Sequence, residues 1–386
     1  MKIPFYKPSL GKEEYREVKK VLDSGWLTLG EKTIEFENLF KKYVNADDAV
    51  AVSSCTAGLH ICLRLINLKP GDEVIVPANT FTATAEVVKY FNAVPVIVDI
   101  DYKTGNILPE TIERNITSRT KAIIPVHFAG LPADIDKIKK LAGSKIKIIE
   151  DSAHALPAFY KNKKIGEISE FTCFSFYATK PVTTGDGGMI TFKGRNYKKN
   201  SKLARLLRLH GISSYAWKRY KEKNLWFYKV LTWGYKYNIT DIQSAIGIVQ
   251  LKKADKLWEK RRKIAYYYNL LLKSASDLVD IPCEPENMVS SWHLYVIKLN
   301  LKKLKISREE VIYRLSKKDI MCGVHFIPLY RHPFYKKEYK YKIKDFKNSE
   351  KFYKSAISLP LYPDMKKKEV EYVVENLLEI LKKNIR

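Results

Sequence analysis

The sequence predicts an α/β protein, with a large domain on a mostly parallel sheet and a smaller C-terminal α/β unit. Three observations predict it. From about residue 45 onward, short apolar runs alternate with helix-periodic stretches, as they do where crossover helices join parallel strands. The chain has 386 residues, more than one core usually organises. Near residue 250 the alternation gives way to long helical periodicity, so the expected domains are 1–250 and 251–386.

"AVAVS" (49–53) reads as the first strand, with a helix from Thr56. "EVIVP" (73–77) is the next, followed by a helix through "TATAEVVKYF". "VPVIVDI", "KAIIPVHF" and "KIKIIED" continue the series, the last two separated by the helix "DIDKIKKLAG". "FTCFSFYA" and "GGMITFK" add strands near the middle. "NITDIQSAIGIVQLKKADKLWEKRRKIAYYYNLLLKS" reads as one long linking helix, with Ile239, Ile242, Ile246 and Val249 on one face. "HLYVIKLN", "SREEVIYRLSKKD", "IMCGVHFIP" and the amphipathic "KKEVEYVVENLLEILKK" make up the smaller unit.

Hydrophobic residues make up 46% and charged residues 29%, a globular rather than a disordered balance. "MKIPFYKPSLGKEEYREVKKVL" has no apolar stretch of the signal-peptide kind, and no run approaches membrane-span length. Cys55, Cys62, Cys173, Cys283 and Cys322 are scattered without a CxxC pair. That pattern argues against a disulfide framework or a zinc site and suits a reducing cytoplasm. The formal net charge is +27. A solvated lysine-rich surface is the first reading. Attraction of an anionic small substrate, such as a nucleotide diphosphate, is the second. Nucleic-acid binding ranks last, because the densest basic runs (Lys336–Lys347, Lys366–Lys368) sit among helix-like segments rather than in an arm.

Open α/β sheets bind ligands at the carboxyl ends of their strands, and five such places carry suggestive residues. In "VSSCTAGLH" a helix begins at Thr56 after a run of small residues. It reads as a phosphate cradle or as an ordinary N-cap. In "PANTFTATAE", Phe81 is either a stacking platform for a flat ring or a core residue. In "KIIEDSAHA", Asp151 ends an apolar strand, where its charge needs a partner such as a ring N–H⁺, unless it is only a helix cap. His154 follows, and a lone histidine is more often structural. In "FSFYATK", the alternation of Phe174 and Phe176 leaves Ser175 on the other face. Lys180 then stands beside apolar and aromatic groups, where an amine loses its charge readily and can attack a carbonyl. In "GYKYNITDIQ", Lys236 and Asn238 precede a helix start. A phosphate cradle, a stacking aromatic, an acid for a pyridine nitrogen and a lysine for an aldehyde are together the needs of pyridoxal 5′-phosphate.

The order and wording of these segments resemble the DegT/StrS-type nucleotide-sugar aminotransferases, of pyridoxal-phosphate fold type I. The resemblance runs nearly end to end, through "SGWLTLGEKTIEFE", "VSSCTAGLH", "VIVPANTFTATAE", "IIPVHFAGLPADID", "IIEDSAHA", "GYKYNITDIQSAIGIVQL", "SSWHLYVI", "GVHFIPLY" and "SLPLYPDM". Within that family the wording is most similar to the UDP-4-amino-4-deoxy-L-arabinose–oxoglutarate aminotransferases. The resemblance implies that Lys180 bonds to the cofactor's aldehyde and then moves protons, and that Asp151 keeps the ring nitrogen protonated. It places Phe81 on one ring face, Ala153 on the other and His154 near the phenolic oxygen. Thr56, the backbone at Ala57 and Ser175 would hold the phosphate. Lys236 or Asn238 would reach the phosphate of a partner subunit, which implies a homodimer. Many members have "GFNYR" where this chain has "GYKYN", and glycine where it has Cys55; a small buried thiol is the expected reading there.

The resemblance further implies amino transfer between L-glutamate (returning 2-oxoglutarate) and a keto sugar carried on a nucleotide. "SGWLT" is similar to members that aminate carbon 4. Trp26, Thr28, His325 and Tyr330 are the candidates for the sugar pocket. The rival readings are a carbon-3 keto sugar or keto-cyclitol as acceptor, or a non-catalytic regulator on the same fold. Some members that carry histidine in place of the lysine perform a dehydration; Lys180 favours transamination here.

Overall fold

The computed structural model describes residues 1–213 and 226–386. Seven strands form the central sheet: β1 (Asp48–Val52), β2 (Glu73–Pro77), β3 (Val94–Val98), β4 (Thr120–Ile123), β5 (Lys147–Asp151), β8 (Phe171–Ser175) and β9 (Gly188–Phe192). Their order is β1-β9-β8-β5-β4-β2-β3. Every neighbouring pair is parallel except those of β9, which runs against both β1 and β8. The expected mostly parallel sheet is therefore present.

The helices α3 (Cys55–Leu65), α4 (Ala83–Lys89), α5 (Pro109–Asn115), α6 (Ile135–Ala142) and α7 (Tyr197–Leu207) connect and cover the strands. The pleat divides the apolar residues between the two faces. Val50 and Val52 join the core under α3, while Ala49 and Ala51 join the core on the other side. Phe171 and Cys173 likewise face α3, and Phe174 and Phe176 face the opposite core. Ser175 therefore shares the α3 face, as the alternation predicts.

Two helices precede the sheet, α1 (Lys12–Ser24) and α2 (Glu31–Tyr43). They pack on α8 (Asp241–Lys252), which is followed directly by α9 (Ala254–Leu272). The single long helix expected over 238–274 is thus two. The break at Lys253 has no glycine or proline to announce it. Its cause is tertiary: α8 buries Ile248 and Leu251 in the large core, while α9 gives Ile264, Ala265 and Tyr268 to another core. The expected apolar face of α8 is also corrected. Ser244, Ala245, Gly247 and Ile248 are buried, whereas Ile242 and Ile246 are only half-buried. A Cβ at Gly247 would stand 2.7 Å from the Phe36 ring, so the closest approach of α2 rests on a small residue and not on the isoleucines.

The third core joins α9 with α10 (Arg308–Ser316), α13 (Lys367–Lys382) and the antiparallel sheet β10 (Val279–Asp280), β12 (Tyr295–Leu299) and β13 (Ala356–Leu359). Ile3 is buried in it and bridges to Ile320. Between those elements lie α11 (Pro333–Tyr339) and α12 (Lys347–Ser355). Leu329, Tyr330, Tyr335 and Phe346 from this stretch pack in the large-sheet core. A small third sheet pairs β6 (Phe159–Tyr160) with β7 (Lys163–Lys164) and β11 (Met288–Val289). Among the described residues no helix is long and apolar enough to cross a membrane.

Candidate active site

The carboxyl ends of β1, β2, β5 and β8 converge on one cavity of about 570 Å³. Lys180, Asp151, Thr56, Ser175, Phe81 and His154 all line it. Strand ends meet there because parallel strands point their carboxyl termini, and the turns into the next helix, to the same edge of the sheet.

Asp151 is the last residue of β5 and is buried. Burial pushes its carboxyl above the ordinary value, against the Thr84 hydroxyl, the Ala153 amide and the charge of Lys180. Thr84 donates to Oδ2 at 2.8 Å, and the Ala153 amide to Oδ1 at 3.2 Å. Lys180 follows β8 in a turn closed by its own amide on the Tyr177 carbonyl. Burial lowers its ammonium to about 8, an effect that Asp151 partly offsets. A lysine so lowered is a usable nucleophile near neutral pH.

The N-terminus of α3 forms another wall. Ser54 caps it by accepting the Ala57 amide at 3.0 Å. The Ala57 amide, expected at a phosphate, is thus given to the Ser54 hydroxyl in this structure. The earlier amides, of Cys55 and Thr56, lie at the open end of the helix. β9 approaches this turn closely because Gly188 has no side chain: a Cβ there would stand 2.6 Å from the Cys55 nitrogen.

Phe81 is 61% exposed at the cavity and lies 6.2 Å from the Phe326 ring. Ala153 lines the same space. His154 is buried, accepts the Ala129 amide at Nδ1 and sits 4.4 Å from the ring of His293. His325 pairs through Nδ1 with the Ser358 hydroxyl at 2.8 Å and stacks on Phe5. Burial keeps all three imidazoles below their ordinary value, His325 at about 4. They face the cavity as neutral rings.

Four other candidates form a separate group. Asn238 donates to the Thr28 hydroxyl at 3.4 Å, Trp26 donates from Nε1 to the Leu29 carbonyl, and Lys236 is exposed nearby in sequence. None of the four lines the cavity of its own chain. Tyr330 does not line it either. It is buried, stacked 4.2 Å from the Phe346 ring, with its hydroxyl on Glu350. It is a core residue and not part of a sugar pocket.

Several cavity residues went unassigned in the sequence reading. Thr84 lies in α4, and its hydroxyl pairs at 2.7 Å with that of Thr80 in the turn before the helix; nothing in "NTFTATAE" marks one threonine above its neighbours. His293 lies in "SSWHLYVI" and its Nδ1 has no partner among the described residues. Phe5 and Tyr6 also line the cavity, the Tyr6 hydroxyl donating to the Ala178 carbonyl. Nothing local marks them, since the contact spans most of the large domain.

Pyridoxal 5′-phosphate suits this set. The buried carboxylate of Asp151 calls for a cationic partner, which a protonated ring nitrogen supplies. The open end of α3 with Thr56 and Ser175 suits the phosphate, and Lys180 suits the aldehyde.

A model of the DegT/DnrJ/EryC1/StrS aminotransferase family matches residues 8–378. The chain belongs to this family. It is 48% identical over 383 residues to an uncharacterized protein of Methanocaldococcus jannaschii, covering 99% of this chain and 98% of that one. It is 42% identical over 382 residues to the spore coat polysaccharide biosynthesis protein SpsC of Bacillus subtilis, covering 98% and 97%. Among solved structures, PseC of Helicobacter pylori, an aminotransferase involved in the biosynthesis of pseudoaminic acid, superposes with a TM-score of 0.91 at 29% identity, covering 99% and 100%. Spr1654 of Streptococcus pneumoniae, solved in PLP and PMP forms, is 34% identical and superposes in its PLP form with a TM-score of 0.91, covering 99% of each chain. As a member of the DegT/DnrJ/EryC1/StrS family, this chain is a PLP-dependent aminotransferase.

Proposed function

We propose that this aminotransferase moves an amino group from L-glutamate to a nucleotide-linked keto sugar, at carbon 4 of a UDP- or dTDP-linked 4-keto sugar. The observation that carries the reading is the cavity with Lys180 and Asp151 at the strand ends and about 570 Å³ of space before them. That volume suits a cofactor and a sugar ring together. PseC and SpsC, whose names connect them to pseudoaminic acid and to spore coat polysaccharide, support a sugar as acceptor.

When bound, pyridoxal 5′-phosphate supplies an aldehyde that holds the reacting amine and a ring that accepts the electrons left when a proton leaves carbon. Lys180 Nζ takes the proton from the amino-acid α-carbon and later returns one to the sugar carbon. Asp151 holds a proton at the ring nitrogen. Thr56, Ser175 and the first amides of α3 hold the phosphate. Phe81 and Ala153 keep water from the two ring faces. The neutral His154 would stand by the phenolic oxygen, and His325 would contact the sugar from the small-sheet side. Trp26, Thr28, Lys236 and Asn238 serve the cavity of a second copy in a homodimer.

The test is a two-stage turnover. The protein is loaded with cofactor and converted by L-glutamate. It is then presented with UDP- and dTDP-linked 4-keto and 3-keto sugars, and the product is located by NMR. Amination at carbon 4 is expected. Amination only at carbon 3, or of a cyclitol ketone only, overturns the assignment of position. A protein that accepts glutamate but no ketone of these classes overturns the acceptor altogether.

A further inference from the structure

Asp151 has a third side-chain neighbour besides Thr84 and Lys180. The Cys55 sulfur lies 3.8 Å from its Oδ1, within hydrogen-bonding reach for a thiol. Cys55 is the first residue of α3 and lines the cavity. The geometry points to Cys55 as a positioning residue that donates its S–H to Asp151 and thereby sets how strongly that carboxylate holds the proton of the cofactor ring. The inference rests on the cofactor reading above.

Three observations support the donor role. The thiol has a second acceptor, the Cys173 carbonyl at 3.5 Å. That carbonyl already accepts the Ser152 amide at 2.8 Å, whereas a carboxylate is the stronger acceptor because it is charged. Burial, reinforced by the charge of Asp151, holds the thiol well above its ordinary value. The sulfur therefore keeps its proton and is neither a nucleophile nor a metal ligand. Finally, Thr84 covers Oδ2 and the Ala153 amide shares Oδ1, so Cys55 is the one side-chain donor on Oδ1 among the described residues.

The titratable groups facing Asp151 are Lys180 after β8, Cys173 on β8, His127 after β4 and Cys55 on α3. Only the last is a neutral donor that substitution can remove while the charges remain. Without it, Oδ1 carries more negative charge and favours protonation of the cationic groups around it.

The readout is the visible band of the holoenzyme, titrated with pH, which reports protonation of the bond between Lys180 and the cofactor. Cys55→Ala is expected to raise the midpoint by about half a pH unit, a threefold change in proton affinity. Cys55→Ser should move it the same way, since the shorter Cβ–O bond draws the donor back from Oδ1. Cys62→Ala is the control. It removes another buried sulfur, 3.6 Å from that of Cys173, without touching Asp151, and should leave the midpoint in place. An unchanged midpoint in both Cys55 variants, or an equal shift in the Cys62 variant, overturns the inference while leaving the cofactor reading intact. A wild-type protein that never shows the band overturns both.

Discussion

Asp241, the first residue of α8, caps a helix that is not its own. Its Oδ1 accepts the Thr33 hydroxyl at 2.6 Å and the amides of Thr33 and Gly30 at 2.9 and 2.8 Å, while Oδ2 accepts the Lys32 amide at 3.1 Å. The carboxylate thus satisfies the open N-terminus of α2 from 200 residues downstream in a buried setting. Asp241→Ala leaves these donors unpaired and is expected to cost about 3 kcal/mol, read as a lower midpoint in urea. Gly30→Ala is expected to act through the same joint, because a Cβ there would stand 2.7 Å from the Asp241 carboxylate and 2.5 Å from the Trp26 ring. Wild-type midpoints in both variants would show that the cap carries no stability.

The lowered ammonium of Lys180 has a kinetic consequence. Only the neutral amine attacks an aldehyde. With its midpoint at about 8, the neutral fraction rises steeply between pH 7 and 9, well below the range of a solvated lysine. The rate at which apoprotein captures pyridoxal 5′-phosphate is therefore expected to climb through that window and level off above it. Lys180→Ala should abolish the visible band and both half-reactions. A capture rate still climbing at pH 10 would show an ordinary lysine.

Four imidazoles that desolvation holds below their ordinary value make the fold sensitive to acid. His154 and His293 are held well below the ordinary value by burial, and His60 and His325 at about 4. Unfolding releases them to protonate from about pH 6.5 downward. Between pH 6.5 and 4 the unfolded chain binds more protons than the native one, so stability falls as pH falls. His60 is the clean probe, since it lies outside the cavity and meets the Tyr237 hydroxyl at 3.1 Å. His60→Asn is expected to lose less stability than wild type between pH 7 and 5. Equal losses would exclude His60 from the acid response.

Much of this site was legible because its residues sit at strand ends, where local pattern and position in the fold coincide. Asp151 closes an apolar run, Lys180 follows an alternating one, and Thr56 opens a helix after small residues. What escaped was set by tertiary packing. Phe5 reaches the cavity through the contact of Ile3 with Ile320. The buried side of α8 uses Ser244 and Gly247, because close helix approach there matters more than side-chain hydrophobicity. Nothing local separates a pocket tyrosine from a core one in "FIPLYRH", and the Tyr330 ring proves to be stacked under Phe346. Cys55 looked like packing, since a thiol's role as donor depends on which acceptor the fold sets beside it.

The separation of Asn238 from Lys180 leads to the last prediction. Asn238 meets Thr28 away from its own cavity, so in a dimer each site would take Lys180 from one subunit and Asn238 from the other. Lys180→Ala and Asn238→Ala are each expected to be nearly inactive alone. Mixed dimers carry one doubly damaged site and one intact site. Co-refolding equal amounts makes half the dimers mixed, so about a quarter of wild-type activity should return by random pairing. Mixing the native dimers without dissociation should restore little. If refolded mixtures stay inactive while Asn238→Ala alone binds cofactor normally, the sites are not shared through Asn238. If Asn238→Ala is fully active alone, the residue has no part in either cavity.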